Sequence, residues 1–186
     1  MKKLIVAVAI VCAAVVSQAA SVYWTCTDVM AGNETDEISG IAYFLTTDML
    51  SYTDAQGLVG KGAAAITEAL GSAYSFTGSG SAFSVKTANA VANETLGLQD
   101  SKDYSAYLMI FDSNSITDDS KFYLTDTKSF TTLAGADDAV KVSWGSQFDN
   151  TSVPGSWNSA ASVPEPTSGL LLILGVAGLA LRRKQK

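Results

Sequence analysis

The 186-residue chain contains no histidine and only two cysteines. Without imidazole, the Ser-His-Asp and Cys-His nucleophile arrangements are excluded, as is every zinc or copper site built on histidine. Cys12 lies in an N-terminal apolar run, so removal of that run would leave Cys26 alone. A single thiol forms neither an intramolecular disulfide nor a thiolate metal cluster. Cys26 then reads as a strand cysteine within SVYWTCT, with an intermolecular bridge or reactive thiol as the alternative. A phosphate-cradling loop is also missing: Gly57, Gly60 and Gly62 lack the Walker spacing and its Lys-Ser/Thr end. Positive charge is scarce as well. Half of the twelve Lys and Arg residues sit at the two ends, so residues 20–163 hold six lysines against seventeen acids, a net charge of −11. Such a surface repels phosphate backbones and anionic membranes, which excludes nucleic acid as a partner.

At the N-terminus, Met1-Lys2-Lys3 precedes an uninterrupted apolar stretch over 4–16, and Ser17-Gln18-Ala19 places small residues before Ala20. This is the order of a secretory signal peptide (1–19) cleaved between Ala19 and Ala20. Its handling implies the Sec translocon and a signal peptidase. Cys12 follows Val11, not a small residue, which argues against a lipoprotein signal.

Residues 20–157 are rich in Ser, Thr, Gly, Asp and Ala, with short aromatic or β-branched runs at intervals typical of an all-β domain. Strands are expected at 22–27, 41–46, 82–87, 104–111, 121–125 and 139–144. Val140, Val142 and Trp144 share one face opposite Lys141 and Ser143. The run 106–111 is apolar throughout, which suits a central strand covered on both sides. One stretch breaks the pattern: 63–70 is alanine-rich with helical spacing and meets Gly71 as a stop. The expected fold is a single β-sandwich, jelly-roll-like or immunoglobulin-like, with one short helix. A linker over 158–163 follows.

Chemistry-bearing candidates are few. The pairs Asp118-Asp119 and Asp137-Asp138 supply carboxylates, but neighbours in an extended chain point to opposite sides and both pairs sit in turn-like sequence. The stretch FDSNSITDDS places Asp112, Asn114, Asp118 and Asp119 in one loop, oxygen ligands suited to calcium. It lacks the glycine and terminal glutamate of an EF-hand, and a solvated turn is the plainer interpretation. Trp24, Trp144 and Trp157 could offer flat faces to a sugar, Trp24 and Trp157 being the candidates for glycan contact, although core packing explains Trp24 and Trp144 equally well. Three Asn-X-Ser/Thr triplets, at Asn33, Asn93 and Asn150, carry little weight in so Ser/Thr/Asn-rich a chain.

The C-terminus carries the most specific signal. Pro164-Glu165-Pro166 precedes an apolar run over 169–181, and Arg182-Arg183-Lys184 follows it. Thirteen helical residues span roughly 20 Å, short of the ~30 Å hydrocarbon layer, and Pro166-Thr167-Ser168 adds about a turn. Bases after an apolar run hold that end in the cytoplasm, which puts the body outside the inner membrane. The expected transmembrane helix covers about 168–181. These three parts, in this order, resemble the PEP-CTERM sorting signal (164–186). The resemblance implies recognition by an exosortase-like membrane enzyme of an exopolysaccharide-producing Gram-negative bacterium. It further implies transient residence at the inner membrane and delivery to the cell surface or biofilm matrix. The resulting expectation is an exported, non-catalytic structural protein associated with exopolysaccharide and needing no cofactor. The alternative is a carbohydrate-binding or adhesin module with a weak calcium site.

Overall fold

Alternation in SVYWTCT determines how the first strand packs. In the computed structural model, which describes residues 20–30, 38–79, 82–135, 138–147 and 157–160, strand β1 (Ser21–Thr27) buries Val22, Trp24 and Cys26 on one face. It pairs in parallel with β8 (Ala139–Ser146) and antiparallel with β4 (Val91–Ala92), forming a three-stranded sheet. The register slips between Thr25 and Cys26, where Cys26 pairs with Gly145. Gly145 has φ 62°, a left-handed conformation that costs glycine nothing and lets the strand bulge around Trp144.

The larger sheet has the order β3 (Tyr74–Ser79), β2 (Ser39–Thr46), β5 (Asp103–Phe111), β6 (Lys121–Leu124), β9 (Asn158–Ser159), with β7 (Lys128–Thr131) also paired to β5. Its faces differ by residue parity. Ala42 and Phe44 of β2 and Tyr104, Ala106, Leu108 and Ile110 of β5 meet Trp24, Val142 and Trp144 of the small sheet. Leu45, Tyr107, Met109 and Phe111 face the other way, onto Ala55 of α1 (Tyr52–Gln56) and onto Ile66 and Leu70 of α2 (Ala63–Leu70). Leu108, Met109, Ile110 and Phe111 are therefore all fully buried, as an unbroken apolar run requires. Each contributes roughly 1.5–3 kcal/mol of transfer free energy. Gly40 leaves room for the backbone of β5, since a Cβ there would lie 1.9 Å from the Phe111 carbonyl oxygen.

Two sheets with few helices agree with the all-β expectation. Several details differ. The β1–β8 pair is parallel, unlike the antiparallel pairing of jelly rolls. Residues 82–87 form no continuous strand: one isolated bridge, Trp24 with Val85, joins them to β1, and the Ser84 hydroxyl takes the Cys26 amide at 2.8 Å in place of a ladder carbonyl. A second helix, α1, accompanies α2. It begins at Ser51, whose hydroxyl accepts from the Asp54 amide at 3.1 Å. The span expected as linker from 158 begins instead as β9, with Ala160 buried behind it.

Candidate functional site

Pairing of β5 with β7 sets Asp103 opposite Thr131, Tyr104 opposite Phe130 and Ser105 opposite Ser129. Alternation turns Tyr104 and Phe130 into the inter-sheet core, where their rings lie 6.0 Å apart, and leaves Asp103, Ser105, Ser129 and Thr131 on the outer face. Thr47 and Asp48 follow directly from β2 and close one side, the Thr47 amide donating to the Ser105 carbonyl at 2.9 Å. These residues line a cleft of about 550 Å³. The helices that cover the other end of this sheet face pack on Leu45, Tyr107, Met109 and Phe111, which leaves the polar end open.

Two carboxylates and several hydroxyls therefore converge at the cleft. The Thr131 hydroxyl donates to Asp103. Lys102 lies 3.4 Å from Asp48, with its ammonium 4.9 Å from the centre of the Tyr104 ring. The Thr132 hydroxyl accepts from the Lys102 amide at 3.0 Å and fixes the backbone there. Carboxylates accept hydrogen bonds from hydroxyl groups, while Ser and Thr both donate and accept, so the cleft suits a hydroxyl-rich ligand. Its components lie far apart in sequence and have no local signature. The one available clue was the alternation in KSFT, which marks β7.

The residues singled out from sequence separate widely. Trp24 is fully buried, its ring 4.9 Å from Phe44 and 5.0 Å from Phe76. It is a core residue and not a glycan platform, because β1 turns every second side chain inward. Trp157 is half-buried: its Nε1 donates to the Met30 carbonyl at 2.8 Å and its ring rests 5.9 Å from Tyr123. Trp144 is buried too, donating to the Asp126 carbonyl at 2.8 Å.

In the loop read as calcium-suited, Asp112 accepts from the Lys121 amide and Asp118 from the Ala63 amide, each at 2.8 Å. The second bond caps α2, whose own Gly62 has no side chain to do so. Asn114 and Asp119 are exposed. Among the described residues, no three acidic or thiol groups are placed to hold a metal ion.

Cys26 is buried, and desolvation, with Asp126 and Asp28 nearby, pushes its thiol up to about 12. A thiol so protonated is a poor nucleophile, which favours the packing role. Asn93, the acceptor of one sequon, is also buried, donating to Asp100 at 2.7 Å.

Ala20 is buried at the start of β1, its carbonyl accepting from the Asn93 amide at 2.8 Å. Ala19, Pro164, Glu165, Pro166, Arg182, Arg183 and Lys184 lie outside the described residues. Among the described residues no helix is long and apolar enough to cross a membrane, and the run 169–181 falls outside them. No curated protein and no solved structure shows significant similarity to the chain. Residues 162–184 do match the PEP-CTERM protein-sorting motif, so the chain carries the signal of a secreted protein processed by an exosortase, a membrane enzyme.

Proposed function

We propose that this protein is a non-catalytic component of the cell surface or extracellular matrix of a Gram-negative bacterium, associated there with exopolysaccharide. The observation that carries this reading is the sorting motif at 162–184, placed directly after a folded, acidic, histidine-free body. A net charge of −11 over residues 20–163 keeps that body soluble and disfavours polyanionic partners, so the polysaccharide is neutral or carries amino groups. The lack of histidine and the buried, protonated Cys26 support a structural role over nucleophilic catalysis.

The cleft at Asp48 and Asp103 favours a second, compatible reading, that of a carbohydrate-binding module. A volume of about 550 Å³ accommodates a small ligand or the end of a larger one. The test is retention of the purified body on matrix polysaccharide from its host. Binding that falls at least roughly fivefold in Asp48→Asn/Asp103→Asn, at unchanged melting temperature, supports the module. Retention unchanged by the double substitution leaves the structural reading without the cleft. Release of sugar by the wild type, lost in the double variant, would overturn the non-catalytic reading.

A further inference from the structure

Ala20, where the described fold starts, is already inside it. The residue is 2% exposed, the Asn93 amide donates to its carbonyl at 2.8 Å, and the Ser21 amide donates to the Asp138 carbonyl at 3.0 Å. The β1–β4 register (Ser21↔Ala92, Val22↔Val91) therefore continues to Ala20 opposite Asn93. Residues so opposed point their side chains to the same face, with about 5.5 Å between Cα atoms. That face is the inward one, and it buries the Asn93 side chain beside the start of β1. Asn93 Nδ2 donates to the Asp100 carboxylate at 2.7 Å and to the Leu133 carbonyl at 3.3 Å. Both partners are acceptors, which fixes the carboxamide's orientation and leaves Oδ1 over. That oxygen is buried and has no hydrogen-bond partner among the described residues.

A buried acceptor without a partner carries its full desolvation cost. The nitrogen of Ala20 belongs to the residue whose carbonyl already meets Asn93. In a chain joined to Ala19 it is a peptide amide with one hydrogen in a fixed direction. In a chain cut there it is a rotating ammonium with three hydrogens and a positive charge. We propose that the α-ammonium released at Ala20 by signal cleavage is a structural group of the mature protein: it donates to Asn93 Oδ1, beside the Asp100 carboxylate, and fastens the start of β1 as the precursor cannot. The inference rests on cleavage between Ala19 and Ala20. Surrounding charge favours a cation there. Asp100 bonds Asn93, Glu94 follows it in the chain, and Asp138 approaches from the β8 side. Lys102 is turned to Asp48 at 3.4 Å, and Lys141 is exposed, its backbone paired with Tyr23.

The test uses the full chain, exported with its own signal and purified after cleavage. A glycine inserted between Ala19 and Ala20 leaves Asn93 intact and moves the ammonium one residue, about 3.5 Å, away. The wild type is expected to begin at Ala20 and to melt roughly 4–8 °C above the insertion variant at pH 7. Because the contact favours the charged amine, this advantage is complete below the α-amino range of about 8 and shrinks as pH rises beyond it. In an Asn93→Ala background the insertion should cost nothing further. Independently of that variant's folding, the wild-type α-amine should react with an N-hydroxysuccinimide ester at least roughly tenfold more slowly than the insertion variant's. Equal melting temperatures overturn the inference. So does a loss that persists without Asn93, or an α-amine equally reactive in both proteins. A wild type that begins elsewhere than Ala20 overturns it together with the cleavage expectation, whereas the other adverse outcomes leave cleavage standing.

Discussion

Truncating Trp24 separates its two sequence-derived roles, core residue and sugar platform. The ring is fully buried, packs on Phe44, Phe76 and Tyr74, and its indole N–H has no hydrogen-bond partner among the described residues. Replacing a buried tryptophan by alanine costs about 3–5 kcal/mol. Removing an unpaired buried N–H returns part of a penalty of about 1–3 kcal/mol. The net expectation for Trp24→Ala is a loss of roughly 3 kcal/mol. Trp24→Phe keeps an aromatic ring against Phe44 and discards the unpaired N–H, so it should lose about 1 kcal/mol or less. For a body of this size, about 4 °C per kcal/mol converts these into a fall of roughly 12 °C against at most about 4 °C. Thermal unfolding followed by circular dichroism reads both. An unchanged melting temperature for Trp24→Ala, accompanied by lost polysaccharide retention, would refute the core assignment and return Trp24 to the surface.

Other substitutions test the remaining contacts. Asp118→Ala removes the cross-chain cap of α2 and should cost about 1 kcal/mol in urea unfolding, whereas Asp118→Asn retains most of it. Tyr123→Phe deprives the buried Gln147 side chain of its 2.8 Å partner, with an expected loss of about 1–3 kcal/mol by the same measurement. Cys26 should resist thiol reagents in the folded protein and react once urea unfolds it. Its thiol is raised from 9.0 to about 12, so the neutral form is favoured by folding. That contribution is complete below pH 9 and is lost as pH rises from 9 to 12, and Cys26→Ala should flatten this part of the alkaline stability slope.

Local pattern was enough for the strands that bury one face or both. SVYWTCT, IAYFLT and AVKVSW carry their periodicity in the chain, and YSAYLMIF shows by its unbroken apolar run that both faces are covered. Other elements owe their existence to partners. β9 is two residues long and is defined by pairing with β6, while residues 82–87 lose their regular ladder to the Ser84 hydroxyl. The helix over 63–70 was legible, but its cap was not, because Asp118 arrives from 55 residues away. The same limit explains the site. Aromatic content revealed Trp24 and Trp157 without the direction in which each points, and the Asp48–Asp103 cleft exists only once β2, β5 and β7 are in register. Sorting was legible throughout, since a membrane-side signal is read as linear sequence and needs no tertiary context.

Mass spectrometry of the protein released at the surface of its native host decides whether the sorting signal at 162–184 is processed. The expected chain begins at Ala20 and ends near Pro164-Glu165-Pro166, with the apolar run and Arg182-Arg183-Lys184 gone. A released chain that still carries Arg182-Arg183-Lys184 would contradict that processing.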